Sequence, residues 1–484
     1  MRILSILLVA AGALLPAAAH AETLSLDDLL ASVRETHPLF RREARAVDIE
    51  AQARERALAG RDWRLASSAT YAYQEAAGDD LFSPRSVQSS DLQVSLEKPL
   101  WSTGGRLGLS AGAAYSDADL RRLDFGGGEV LPGLPHAYAA RAYLTYSQPL
   151  WRNRGGALDR LDWELAGDAV ALARAGAAEA QEGFLLDVAL RYLDWALLAE
   201  QREIAAARLR LAEEQLEQVR ERREANLVDE VDILRAEDAV RAAEQGLLRI
   251  TARHDATRAE LAEIAQREDL YGLAPAFDLY APAELPAADA AVAEILGRSR
   301  LLEATGTARQ QIERRLAAAE ETHDPDLSLD LGCGLRREET ELADALALTR
   351  PDAFVALSLQ VPLGRRAARS DIQTARLSLL QVEDEAREIA IGLESSLRAL
   401  LIEIAELADV IRLDRERIES AQRRADEELR LYDQGRGMLT FVIAARDEVE
   451  RAELGLAENA HAYQQLLLRY RELMDAILPA PAGG

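Results

Sequence analysis

A single cysteine among 484 residues excludes a disulfide framework within the chain and a metal site built from several thiolates. Basic residues are in deficit. Lys and Arg number 57 against 83 Asp and Glu, a formal charge of −26, which argues against a nucleic-acid partner, whose footprint is a basic patch or stripe. Aromatics make up 5% and methionine occurs three times, so neither an aromatic-rich enzyme core nor a methionine cluster for a soft metal is indicated. Beyond the N-terminus no run approaches 18 apolar residues, so no inner-membrane helix is expected. What the chain does have is Ala, Leu and acid. Nearly half its residues, 49%, are apolar, too many for a disordered chain.

The N-terminus reads Met1-Arg2, an apolar run from Ile3 to Pro16, then Ala17-Ala18-Ala19-His20-Ala21. This is the charged, apolar and small-residue order of an export signal, with cleavage expected after Ala21. The apolar run is too short for a transmembrane span. No cysteine follows the cleavage site, so a lipid anchor is not expected.

Long helical patterns alternate with bursts of period-two sequence. Helix is predicted over 25–61, 156–224, 228–266, 287–322, 365–432 and 438–477. In the second of these, Leu185, Val188, Tyr192, Trp195 and Ala199 form one seam, and Leu193, Leu197, Ile204 and Leu211 another. A helix with two seams packs against two neighbours, as in a barrel of helices. The fourth to sixth helices restate the first three. Asp324 falls on Asp62, Leu327 on Leu65, Ala445 on Ala236 and Asp447 on Asp238. The pattern is that of an internal duplication, with a first repeat over 22–272, a Pro-containing linker over 273–288 and a second repeat over 289–484. At 1.5 Å per residue each longest helix spans roughly 100 Å, and a shorter pair stacked end to end matches it.

Six segments alternate with period two, beginning at Trp63, Asp91, Arg106, Tyr138, Leu327 and Val355. Each is long enough to cross a bilayer when tilted. A half-buried soluble sheet has the same period. Export, the lack of a second sheet to cover an apolar face, and Trp101 and Trp151 at strand ends, where interfacial aromatics lie, favour a lipid-facing barrel.

The scattered histidines His37, His136, His254, His323 and His461 offer no metal-binding pair. Cys333 sits on the apolar side of its strand, and Gly126-Gly127-Gly128 lacks the strand-before, helix-after setting of a phosphate loop. No catalytic constellation and no cofactor or metal site is apparent, so an enzyme is not expected.

Several motifs resemble those of the TolC-like outer-membrane efflux proteins. They are Leu24-Ser25-Leu26-Asp27-Asp28-Leu29-Leu30 running to His37-Pro38-Leu39, the strand exits Gln148-Pro149-Leu150-Trp151 and Val361-Pro362-Leu363-Gly364, and the segment from Asn226 to Glu237. The resemblance covers essentially the whole mature chain. It implies an α+β membrane protein of the outer membrane. A trimeric transmembrane β-barrel would continue into a long periplasmic α-helical barrel, with the linker at the equator. It further implies a homotrimer in outer-membrane lipid, serving a periplasmic adaptor and an inner-membrane pump or type I secretion system. The competing reading is a periplasmic coiled-coil scaffold or adaptor.

Two departures stand out. The resemblance implies four strands per protomer, and this chain supplies six. Either the barrel has about eighteen strands or the hairpin of about 91 to 117 lies elsewhere; the wider barrel is preferred. The acidic gate position of the family is Asp232 in the first repeat but Phe441 in the second. The helical hairpin turns, at Ala225-Asn226 and around Gly435 and Gly437, define a periplasmic tip. There three copies of Asp229, Glu230 and Asp232 would crowd one axis as a carboxylate ring, unless they simply serve the helix N-terminus. Met438, Leu439 and Phe441 are expected to narrow the same tip with apolar side chains.

Overall fold

The computed structural model describes residues 23–75, 84–120, 136–225 and 227–478. The expected export signal, Gly126-Gly127-Gly128 and Asn226 lie outside them. The chain divides into two compact units. One holds the residues up to Glu43, Ala178–Ser299 and those from Gly392 onward, and the other holds Ala44–Ala177 and Arg300–Ile391.

The second unit is built on a six-stranded antiparallel sheet. Its strands are β2 (Arg64–Glu75), β3 (Pro84–Leu100), β4 (Gly105–Leu120), β5 (Ala137–Pro149), β7 (Asp326–Glu339) and β8 (Arg350–Gln360), joined in that order. All six expected strands are present. The hairpin whose place was open, β3–β4, lies within the same sheet, between β2 and β5. Its turn is tied to the exit from β5. Gln148 Nε2 donates to Thr103 O at 2.8 Å, and Arg160 Nη1 donates to Trp101 O at 2.7 Å. Gly104 and Gly156 both hold positive φ, and a Cβ on either would collide with backbone across this contact. Only glycine accepts both the conformation and the approach. A short helix, α7 (Leu342–Ala345), sits in the β7–β8 connection.

The helices recur in matched lengths. Helices α1 (Leu26–Thr36) and α5 (Ala288–Arg298) each have 11 residues. They lead into α2 (Pro38–Leu58) and α6 (Arg300–Thr322). Each expected helix is therefore broken once, at His37 and at Ser299. Pro38, which lacks the N–H a continuing helix needs, explains the first break; the second has no proline. The longest helices, α3 (Ala157–Glu224) and α8 (Arg366–Asp433), have 68 residues each, and α4 (Glu230–Ala265) and α9 (Leu439–Leu473) have 36 and 35. Each of the 68-residue helices is about 100 Å long. No helix among the described residues is long and apolar enough to cross a membrane.

In the first unit, Ser25 caps α1 by accepting from the Asp28 N–H at 3.2 Å. Leu26, Leu29 and Val33 then bury one face against Leu185, Tyr192 and Trp195 of α3 and Leu261 of α4. Two-residue strands β1 (Thr23–Leu24) and β6 (Ala274–Pro275) pair in parallel beside this core. The Tyr192 hydroxyl donates to Leu24 O at 2.7 Å, and burial pushes its pKa up to about 12. The linker is pinned to α9, where Gln464 Nε2 donates to the carbonyls of Leu279 and Ala281 at 3.0 and 2.9 Å.

Candidate functional site: a two-faced sheet and the helical hairpin ends

The strand register sorts side chains between the two faces of the sheet. Leu65, Leu96, Leu109, Leu144 and Cys333 are successive cross-strand partners on one face. The neighbouring row runs Leu107, Tyr146, Leu331, Val355. Leu65, Leu109, Leu144 and Val355 are exposed. Small and polar residues dominate the opposite face, as in the row Ala66, Ser95, Ser110, Tyr143, Gly334, Asp352, with Phe354 an exposed apolar exception.

Aromatics bracket the apolar face. Tyr115 and Tyr138 pair near one end with ring centroids 4.9 Å apart, and Tyr71 falls in the same row. Tyr146 lies eight positions after Tyr138 along β5, and Trp63 eight before Tyr71, so both fall toward the opposite margin. The chain's single lysine, Lys98, reaches over the Trp63 ring at 5.8 Å. Eight residues of strand rise about 26 Å along the strand, which at the roughly 40° tilt of transmembrane barrels is about 20 Å of height, of the order of their ~25 Å apolar band. The two tryptophans singled out from sequence differ. Trp151 is exposed, whereas Trp101 is partly buried against Gly60 and lies 6.5 Å from the Trp163 ring. The tyrosines lie on the apolar face by register and Trp63 immediately precedes β2; Trp63 and Tyr138 open the first and fourth alternating segments, and that position is the sequence signal that marks them.

Both helical hairpin ends belong to the first unit. Asp229 and Met438 are the N-cap residues of α4 and α9, and neither side chain makes a capping bond. Glu230 and Asp232 occupy the first turn of α4. They are not bare: Asp232 accepts from Arg235 at 3.1 Å, and Arg223 lies 3.7 Å from Glu230. Arg222 reaches from α3 to Asp433 at 2.5 Å, with its guanidinium 4.5 Å over the Tyr432 ring. Burial pushes the Tyr432 phenol up, while the Arg222 charge opposes that shift.

Gly435 takes φ +70° to reverse the chain after α8, and a Cβ on Gly437 would come within 2.9 Å of Tyr432 N. The apolar trio separates. Met438 and Phe441 are 57% and 50% exposed, but Leu439 is 2% exposed and packs with Val219, Ala236, Tyr432 and Val442. Leu439 is thus part of the hairpin's own core. The spacing of Leu439, Val442 and Ala445 on one helical face carried that signal.

No protein-family model matches the chain, and no curated protein matches it by sequence. Solved structures do match. The outer membrane protein VceC from Vibrio cholerae aligns over 93% of this chain and 96% of its own, with TM-score 0.64 and 13% identity. CusC, described for transmembrane channel formation, aligns over 93% and 91% with TM-score 0.66 and 13% identity. The MtrE outer membrane channel of Neisseria gonorrhoeae, in its open state, aligns over 93% and 88% with TM-score 0.57 and 17% identity. The chain has the TolC-like fold that its motifs imply, the fold of these outer-membrane channels.

Proposed function

We propose that this protein is a passive outer-membrane exit duct, not an enzyme, which carries solutes from a periplasmic pump assembly to the outside. One observation carries the reading. Across all six strands the register gathers exposed apolar side chains on one face and mainly small and polar ones on the other, with aromatics about 26 Å apart along the strand at its margins. That is the arrangement a strand wall needs between lipid and water. A soluble scaffold has no use for it.

Closing the sheet requires copies, because β2 and β8 are edges and an unpaired edge cannot face lipid. A homotrimer would then have about eighteen strands. The matched helix lengths, with α5 starting 262 residues after α1 and α8 starting 209 after α3, support an internal duplication. The difference of 53 residues is the length added with β3–β4. The helices extend into the periplasm in this reading, toward an adaptor and an inner-membrane pump or secretion partner that supplies energy. The hairpin ends form the tip, where Met438 and Phe441 narrow the opening and the acids are tempered by Arg223 and Arg235.

Single-channel conductance in planar bilayers tests this, on the wild type and on a Met438→Ala, Phe441→Ala double variant. A small wild-type conductance that rises in the variant is expected. Absence of conductance from either, with protein washed from membranes by urea, would return the chain to the scaffold reading.

A further inference from the structure

The polar face of the sheet carries one row unlike its neighbours. Ser68, Gln93, Gly112, Arg141, Arg336 and Arg350 are successive cross-strand partners. Three arginines therefore stand directly opposite one another on β5, β7 and β8, in a chain whose formal charge is −26. Like charges in directly opposed positions destabilise a sheet. With strands about 4.8 Å apart, the three stems arise within roughly 10 Å.

The acids at hand do not resolve the conflict. Arg141 leans across Gly112 toward β3, where Asp91 Oδ2 and Gln93 Oε1 each accept at 3.3 Å. Among the described residues Arg336 has only Asp352, at 3.7 Å, and that carboxylate already accepts from the Tyr143 hydroxyl at 2.5 Å. Glu338 is the next acid on this face of β7, and among the described residues no bond joins it to the row. Among the described residues Arg350 has no ion-pair partner.

We propose that Arg141, Arg336 and Arg350 form an anion-binding collar on the polar face of the sheet, which takes solutes bearing several anionic oxygens. Guanidinium groups suit this, since each presents a rigid fork of donors to a phosphate or carboxylate. An oxyanion bridging the row satisfies donors that the sheet leaves open and removes the repulsion between them. The inference rests on the duct reading, in which this face lines the lumen; rings of arginine there favour anions. Acid elsewhere in the chain does not cancel the effect, because charges more than about 10 Å away are largely screened at 0.1 M salt.

The test uses the purified full chain in planar bilayers at 0.1 M KCl, with inorganic tripolyphosphate as the probe. Wild type is compared with Arg350→Gln, Arg336→Gln/Arg350→Gln and Arg336→Lys/Arg350→Lys. The half-blocking concentration is expected to rise at least tenfold in the double Gln variant and severalfold in Arg350→Gln. Reversal potentials in a KCl gradient should shift toward cation selectivity in both. The Lys variant should keep the wild-type reversal potential while binding tripolyphosphate more weakly. Equal block of a conducting wild type and Arg350→Gln overturns the collar alone. A wild type that never conducts overturns the duct reading, and the collar with it.

Discussion

The indole N–H of Trp195 donates to Nε2 of His254 across 3.0 Å, joining α3 to α4 inside the core of the first unit. The other imidazole nitrogen, Nδ1, lies 3.1 Å from Asp255 Oδ1. This pairing fixes the ring as the neutral tautomer protonated on Nδ1, because Nε2 must accept. Protonation would set two N–H groups against each other.

The consequence is a pH dependence of stability. Burial, opposed by the Asp255 hydrogen bond, holds the His254 pKa below its ordinary 6.5, and the charges of Arg202 and Arg258 push the same way as burial. The unfolded chain therefore takes up a proton first, and stability falls as pH drops from about 6.5 toward the lower native value. Thermal unfolding of the detergent-solubilised protein between pH 7.5 and 5 should show this decline. In His254→Gln, whose amide oxygen can still accept from Trp195, the decline over that range should shrink.

Substitution at Gly435 reports on the hairpin end. An alanine there must hold φ +70°, and the left-handed conformation costs a side chain about 1 kcal/mol. Gly435→Ala should therefore raise hydrogen exchange around 430–440 while leaving the distant sheet unchanged. Gly437→Ala should do more, since its Cβ meets the Tyr432 backbone at 2.9 Å.

Arg222 links the two long helices next to that turn. Losing its bond to Asp433 and its stacking on Tyr432 should cost roughly 1–2 kcal/mol of local stability. Arg222→Ala should show faster exchange in the same segment. Arg222→Lys should recover only part, because an ammonium cannot lie flat on the ring while donating to both Asp433 and the Tyr432 carbonyl.

Neighbouring positions on β4 separate the two faces. Leu109 is exposed on the apolar face and Ser110 points to the other. An arginine on a lipid face near mid-bilayer costs about 2–4 kcal/mol, whereas a lumen position accepts it. Leu109→Arg should thus deplete assembled protein from urea-washed membranes, and Ser110→Arg should leave its amount near wild type.

Much of the fold was legible because its periods are long and clean. The predicted helix over 156–224 differs by one residue from α3, and the six alternating segments became the six strands. Helix breaks were legible only where chemistry marks them. Pro38 announces the first, while Ser299 carries no such mark. At the hairpin ends, counting acids missed their partners, since Arg222 and Arg223 belong to a different helix from Glu230 and Asp433. Leu439 was grouped with Met438 and Phe441 by adjacency, although helical spacing puts it on the buried side. Nothing near His254 in the sequence points to its partner Trp195, which lies 59 residues away. The arginine row is invisible without register, because its members come from three strands.

The β3–β4 hairpin also constrains how such a sheet can grow. Each strand reverses the chain, so only an even number of added strands brings it back to the end of the sheet where α2 arrives and α3 departs. The 53 extra residues satisfy that parity, and the 68-residue helices after the strands keep equal length in both halves. The sheet can therefore grow in steps of one hairpin without rewriting the helices. A single added strand would instead send the next helix out of the wrong side.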